Sequence, residues 1–275
     1  MQRLSLVDEN FDLNLSKEYI LSIQVSLDGF SFSILDSTIN KVICLYHQDT
    51  FTNEPGFHLK KLRSIYDEVD LLALPYNKTK IYLSAPDKTT LVPIAIFSRD
   101  LTEDFYRLTL DTGRKSKILF SLIPDMVSYA VYEIDHAVHT LLQEKHPGCI
   151  MQNDLVLSVF GCPRGITLMK VRILKKQLVI LTLQDNINFY NSYYYENEND
   201  MLYYILGAIK NMDLKPETII LDGMVNKHEG IYYRLKQYFE HVKIASNNPR
   251  IHYSNLLSRL PDARFVNLFN SFSCE

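Results

Sequence analysis

The sequence predicts an α/β protein of two tandem lobes, each a mixed sheet flanked by helices, with a small β subdomain inserted in the first lobe. Three observations predict it. Three strand-like runs, a helix and a further strand open the chain, and the same order returns from residue 154. Residues 86–124, rich in strand-like segments, have no counterpart in the second half. The junction "CIMQND" at 149–154 is only a few residues long, which implies packed lobes rather than independent beads. The expected divisions are a first lobe over 1–152, with its insertion at about 86–124, and a second lobe over 153–275.

In the first half, "YILSIQVS", "FSFSILD" and "KVICLYHQ" read as an antiparallel meander. Leu21, Ile23 and Val25 alternate with Ser22, Gln24 and Ser26, the period of a half-buried strand. The connections are tight, Asp28-Gly29 and then "STIN". A helix follows in "GFHLKKLRSIYDEVDLL", where Leu62, Ile65, Tyr66, Val69 and Leu72 recur at three- and four-residue steps. The strand "KIYLSA" comes next. The insertion holds "TLVPIAIF", "DFYRLTL" and "SKILFSL", read as three more strands. "MVSYAVY" is then a strand and "IDHAVHTLLQEKHPG" a helix.

In the second half, "DLVLSVFG", "GITLMKVRI" and "QLVILTLQ" are the expected meander. Met201, Leu202, Ile205, Ala208, Ile209 and Met212 make the apolar stripe of the helix "DMLYYILGAIKNMDL". The strand "TIILDG", the helix "GIYYRLKQYFE" and the strand "HVKIAS" complete the lobe.

Composition narrows the partners. At 275 residues, 47% hydrophobic and 22% charged, the chain holds enough apolar material for a sizeable core and is too apolar for disorder. A net charge of −3 and a pI near 6.2 give no sign of the basic face that nucleic acid or an anionic membrane requires. Cys44, Cys149, Cys162 and Cys274 lie far apart without metal-ligand spacing and read as structural thiols in a reducing compartment. The first eighteen residues lack the apolar core of a signal peptide, and no uncharged apolar run approaches the ~20 residues needed to cross a bilayer. A cytoplasmic protein without direct membrane insertion is expected.

The repeated order of three antiparallel strands, helix, strand, helix and strand resembles the two ribonuclease H-like lobes of the actin, sugar-kinase and heat-shock-chaperone ATPase superfamily. More narrowly, "YILSIQVSLDGFSFSILD", the "TLVP" strand, the "DMLYYIL" helix and the terminal "LFNSFSCE" resemble an uncharacterised bacterial family of unknown function with that actin-like ATPase fold. The "TLVPIAIF" segment is similar in placement to insertions of pilus-assembly and division-ring actin relatives. For an ATP-hydrolysing member the resemblance implies a nucleotide between the lobes. An Asp-x-Gly hairpin, followed by small hydroxyl residues, holds magnesium through water and brings backbone N–H groups to phosphate. A second such hairpin grips the remaining phosphates, and an acidic residue orients the attacking water.

The first hairpin, Ser26-Leu27-Asp28-Gly29-Phe30, departs from that pattern. Aligned on Ser26, it lacks the carboxylate and Asp28 stands where glycine is wanted. Aligned on Asp28, Gly29 comes one place early and Phe30 takes the glycine position. Asp28-Gly29 reads instead as a type I′ turn, with a phosphate loop as the alternative. In the expected second hairpin, "VFGCPRGIT", Gly161 and Gly165 permit close backbone approach and Arg164 can face an anion. It carries no acidic residue, and Pro163 removes a donor, so a glycine- and proline-shaped turn is the favoured reading. In "ILDGMV", Asp222 and Gly223 sit where the superfamily has its adenosine-contacting turn; a strand-end turn explains them equally well. These seven residues, Asp28, Gly29, Gly161, Arg164, Gly165, Asp222 and Gly223, are the candidate cleft set. No catalytic and no metal-ligating residue is assigned.

Other chemistry finds no motif. His136 and His139 lack a third ligand at metal spacing and read as solvent-facing or hydrogen-bonded. There is no GxGxxG, Walker loop, HExxH or GxSxG, and Asp28, Asp36 and Asp222 do not make a two-metal nuclease set. "NFYNSYYYENEND" reads as a strand end and loop packed on the second lobe, with an aromatic interface as the alternative. "HLKKLR" and "RILKK" read as solvated faces. The function expected is a binding or scaffolding protein that has lost ATP hydrolysis and needs no cofactor. Its protein partner is unnamed by the sequence, and self-association is implied only by the resemblance. The alternative is an active ATPase or kinase binding ATP and magnesium through diverged loops.

Overall fold

Among the described residues, seven strands make the first sheet, five the second, and three a small sheet inserted in sequence within the first. The computed structural model describes residues 3–26, 29–50, 57–113, 115–124, 126–228, 230–260 and 262–273. Strand β1 (Arg3–Val7) precedes the antiparallel meander β2 (Tyr19–Ser26), β3 (Gly29–Asp36) and β4 (Lys41–Asp49). After α1 (Phe57–Glu68), β5 (Lys78–Ser84) returns parallel to β2. Strand β6 (Thr89–Pro93), helix α2 (Thr102–Arg107), β7 (Ser116–Ile123) and β8 (Ser128–Asp135) form the small antiparallel sheet and its cover. Helix α3 (His136–Lys145) leads to β9 (Ile150–Asn153), parallel to β5.

Helix α4 (Leu155–Val159) crosses to the second lobe. There β10 (Leu168–Ile173), β11 (Gln177–Leu183) and β12 (Ile187–Tyr194) form a second meander. Helix α5 (Glu198–Asn211), β13 (Thr218–Gly223), α6 (Gly230–Lys236) and β14 (Val242–Ile244) follow, with β13 parallel to β10. Finally β15 (His252–Tyr253) adds parallel to β4, and α7 (Val266–Asn270) packs on the same sheet. Among the described residues no helix is long and apolar enough to cross a membrane.

The core lies where the helical period places it. Leu62, Ile65 and Tyr66 of α1 and Val69 just after it, with Val138, Leu141 and Leu142 of α3, cover one face of the first sheet. Each such aliphatic side chain contributes about 1.5–3 kcal/mol by leaving water. The caps are local: Asp135 accepts from the Ala137 and Val138 N–H groups at the start of α3, and Asn197 and Asp200 form a capping box on α5.

Four expectations are corrected. "DLVLSVFG" is not a strand: residues 155–159 are helical, with Leu155 and Val159 buried against Ile123 and Met126. A short run without alternation fits a buried helix as well as a strand. The second meander is therefore displaced by one run, and the aromatic segment 187–194 is its third strand. "DFYRLTL" is helical over 102–107; Glu103 and Asp104 favour a helix start, Arg107 pairs with Glu103 at 3.2 Å, and Tyr106 packs on Val92 and Val131. The small sheet also takes in β8, past residue 124, because "MVSYAVY" pairs with β6 and β7. Strand β2 is buried on both faces: Ser22 and Gln24 are covered along with Leu21 and Ile23.

The last of these follows from the chain's end. Phe265, Leu268 and Phe269 pack on Leu35, Val42 and Leu45, the face of the first sheet opposite α1 and α3. Lys80 of β5, itself buried, donates to the Ser271 carbonyl at 2.8 Å. Residues 251–273, which follow the second lobe in sequence, thus cover the first.

Candidate functional site

The cleft is built from strand ends. In β10 the alternation Lys170, Arg172 sets two cations on one face, while Met169, Val171 and Ile173 face the core under α5 and α6. Parallel register then puts Arg172 beside Asp222 and Ile173 beside Gly223. From the first lobe, the Asp154 N–H donates to Leu83 O, so this carboxylate leaves the end of β9 pointing toward the second sheet.

Arg172 joins the two acids. Its Nη1 lies 2.7 Å from Asp154 Oδ2, and its Nε lies 3.6 Å from Asp222 Oδ1. Lys170 Nζ is 3.9 Å from Asp222 Oδ2 and donates to Ser158 O at 2.7 Å. Gln24 Nε2, from β2, donates to Asp154 Oδ2 at 3.3 Å. All five side chains are buried or nearly so. Burial pushes the Asp222 carboxyl up, against the downward pull of Arg172 and Lys170. A guanidinium therefore stands between the carboxylates, the place a cation held by both would have to take.

At the mouth, Ser26 and Gly29 of the first hairpin face Lys175, Gly223 and Met224 of the second lobe. The Gly29 N–H donates to Ser26 Oγ at 3.0 Å. Beside it Ser31 Oγ is 2.8 Å from His47 Nδ1, and His47 Nε2 is 3.0 Å from Asp49 Oδ1. Arg264 Nη2 reaches the same Nε2 at 3.0 Å. One ring nitrogen cannot accept from Arg264 and donate to Asp49 at once, so this is a junction of competing contacts rather than a proton relay. Burial holds the imidazole pKa down; the Asp49 bond opposes this and Arg264 adds to it. Lys175 Nζ and Arg264 Nη2 lie 3.9 and 3.8 Å from the Asp49 carboxylate.

The space left is small. The cleft encloses about 20 Å³ beside Arg172 and about 70 Å³ at its mouth. Small-molecule pockets typically enclose about 300–1,000 Å³.

Of the candidate set, the fold brings Gly29, Asp222 and Gly223 to the cleft. Gly223, at φ +84°, needs its missing side chain: a Cβ there would sit 2.3 Å from Ile173 O. Gly161, Arg164 and Gly165 lie in the link between α4 and β10, outside the cleft cavities. Both glycines have positive φ with open space around them, and Arg164 Nη1 reaches Asp185 O at 3.4 Å on the surface. Asp28 lies outside the described residues. The turn facing the first hairpin is 174–176, so Lys175 of "RILKK", still exposed, lines the cleft mouth, while Arg172 at the head of the same run is nearly buried rather than on a solvated face. Lys170 and Asp154 were not singled out by sequence, Gln24 was read only in the alternation of β2, and Arg172 only within "RILKK". The available signal was two cations on one face of an otherwise apolar strand, which demands buried anions nearby. Among the described residues no three His, Cys, Asp or Glu side chains are placed to hold a metal ion. His139 is buried in α3, whereas His136 is exposed.

Residues 8–242 match the family described as "Protein of unknown function (DUF3822)". The chain belongs to this family. Among solved structures, the DUF3822 chain is similar to a protein of Bacteroides thetaiotaomicron VPI-5482 with actin-like ATPase fold and unknown function. That match has 20% identity and a TM-score of 0.81, over 96% of this chain and 99% of that one. A chain of a PilM–PilN type IV pilus biogenesis complex is 11% identical, with a TM-score of 0.61 over 93% and 98% of the two chains. The ethanolamine utilization protein EutJ from Carboxydothermus hydrogenoformans is 10% identical, with a TM-score of 0.53 over 96% and 92%. No functionally curated protein matches the DUF3822 chain. At these identities the likeness shows the fold: two lobes of the actin-like ATPase type.

Proposed function

We propose that this DUF3822 chain is a non-catalytic binding protein whose lobes are held together by ion pairs rather than by a nucleotide. The carrying observation is Arg172, which bridges Asp154 and Asp222 and occupies the charge between them. Cleavage of a phosphoryl group in this fold requires carboxylates free to bind magnesium and water. Here cations outnumber acids at the cleft: Lys170, Arg172, Lys175 and Arg264 face Asp49, Asp154 and Asp222. Magnesium would have to expel a guanidinium, and the nucleotide would have to open the lobes. A partner protein is part of the proposal. That a chain of this fold occurs in the PilM–PilN complex supports it as a precedent for the architecture.

The test is thermal unfolding in millimolar ATP with magnesium. A ligand at a hundred times its Kd adds about 2.7 kcal/mol to the folded state, a shift of several degrees. The melting temperature is expected to stay unchanged, with no phosphate released. A saturable rise, together with phosphate release, would support the ATPase or kinase alternative.

A further inference from the structure

A second depression, distinct from the cleft, encloses about 570 Å³ and shares only Lys170 with the cleft cavities. Its floor is a row across the second sheet. Lys170 is in register with Ile220, and Ile220 with Lys243, so the three side chains leave one face together. The neighbouring Met169, Ile219, Leu221 and Val242 point to the opposite face, under α5 and α6. The walls are the turn 160–163 after α4 and one side of α7, so a strip of sheet face stays uncovered between them. The far rim is the loop 245–250, fixed by Asn248 Nδ2 to Ser273 Oγ at 2.9 Å and by Asn40 Nδ2 to Arg250 O at 2.7 Å.

Charge decides what suits this strip. Lys243 and Arg250 line it, with the buried Lys170 already held by Asp222 and Ser158 O, and no Asp or Glu lines it. Lys243 and Arg250 are exposed, and neither has an ionic partner among the described residues. The floor and walls supply Ile220, Phe160 and Val266. Apolar ground with cations spread along the rim fits an amphipathic segment carrying carboxylates better than a compact anion, which needs its cations converged. We infer that this groove docks an acidic peptide segment of a partner protein. The inference rests on the binding-protein reading for its partner, but not on the closed cleft.

The experiment is selection of a displayed random decapeptide library on the full chain, counter-selected on the Lys243→Glu/Arg250→Glu variant. Both side chains are exposed, and the variant's melting temperature checks that it folds. Enriched peptides are expected to carry net negative charge beside apolar residues. They should bind the variant about tenfold or more weakly, bind more tightly at low salt, and protect amides 243–250 from exchange. Enrichment without acidic bias, equal binding to the variant, or failure to enrich would overturn the inference. Displacement by millimolar inorganic phosphate or citrate would assign the groove to small anions instead. The variant leaves the ATP melting test unchanged, so failure here is separate from failure of the non-catalytic reading.

Discussion

Arg172 Nη1 donates to Asp154 Oδ2 at 2.7 Å, tying the central strand of the second sheet to the exit of the first. Such a buried pair gains little net energy over well-packed apolar groups, because both charges lose their water. Its effect is conditional: once both ends are buried, neither can be left alone. A cleft built this way resists opening without any ligand inside it.

Replacing Arg172 with Met therefore leaves Asp154 and Asp222 buried without their shared partner. Stability should fall by about 3–5 kcal/mol in urea unfolding. In the Arg172→Met/Asp154→Leu double variant much of that loss should return, a coupling that a double-mutant cycle reads directly.

Gly223 and Gly161 both have positive φ, yet only one is crowded. Gly223→Ala forces a Cβ against Ile173 O and should cost about 3 kcal/mol, beyond the strain of the backbone conformation alone. Gly161→Ala, with nothing within 4 Å, should cost only about 1 kcal/mol. Denaturant midpoints of the two variants test the ordering.

His146 is buried beneath α1, with Nε2 3.1 Å from the Tyr66 hydroxyl, and burial pulls its pKa from 6.5 down to about 4. The unfolded chain thus binds the proton more readily than the folded one. The resulting stability is present above about pH 6.5 and is lost as pH falls toward 4, roughly 3 kcal/mol in all. Burial lowers His47, His58 and His139 as well, which steepens the same fall. His146→Phe should lower stability at pH 7 and flatten the curve between pH 6.5 and 4, as urea unfolding across that range would show.

Lys80→Met removes the donor to Ser271 O, 191 positions away, and frees the C-terminal cover of the first sheet. A loss of about 1–3 kcal/mol is expected. Faster amide exchange confined to residues 262–273 would distinguish local release from global destabilisation.

The two-lobed α/β plan was legible because helices α1, α3 and α5 carry clean 3.6-residue stripes and β2 alternates with period two. "DLVLSVFG" was not, because a short apolar run without alternation fits a buried helix and a buried strand alike. That single ambiguity displaced the second hairpin and carried Gly161, Arg164 and Gly165 into the candidate set in place of Lys175. Asp222 and Gly223 were found because "ILDGMV" sits where the resembled superfamily has its adenosine-contacting turn, and the register of β13 with β10 brings them to the cleft. Arg172 and Asp154 were missed because their relation is purely tertiary: 18 residues apart, they meet only through the two sheets. The cover over β2 was equally invisible, since residues 251–273 return to a sheet begun near the other end of the chain.

The most direct measurement of the central claim is calorimetric titration of the wild-type chain with ATP and magnesium. With Arg172 hydrogen-bonded to Asp154 and ion-paired with Asp222, heats indistinguishable from dilution are expected up to millimolar nucleotide. A stoichiometric binding isotherm, with crystals of the complex showing Asp154 or Asp222 turned from Arg172 toward a metal–nucleotide pair, would contradict it.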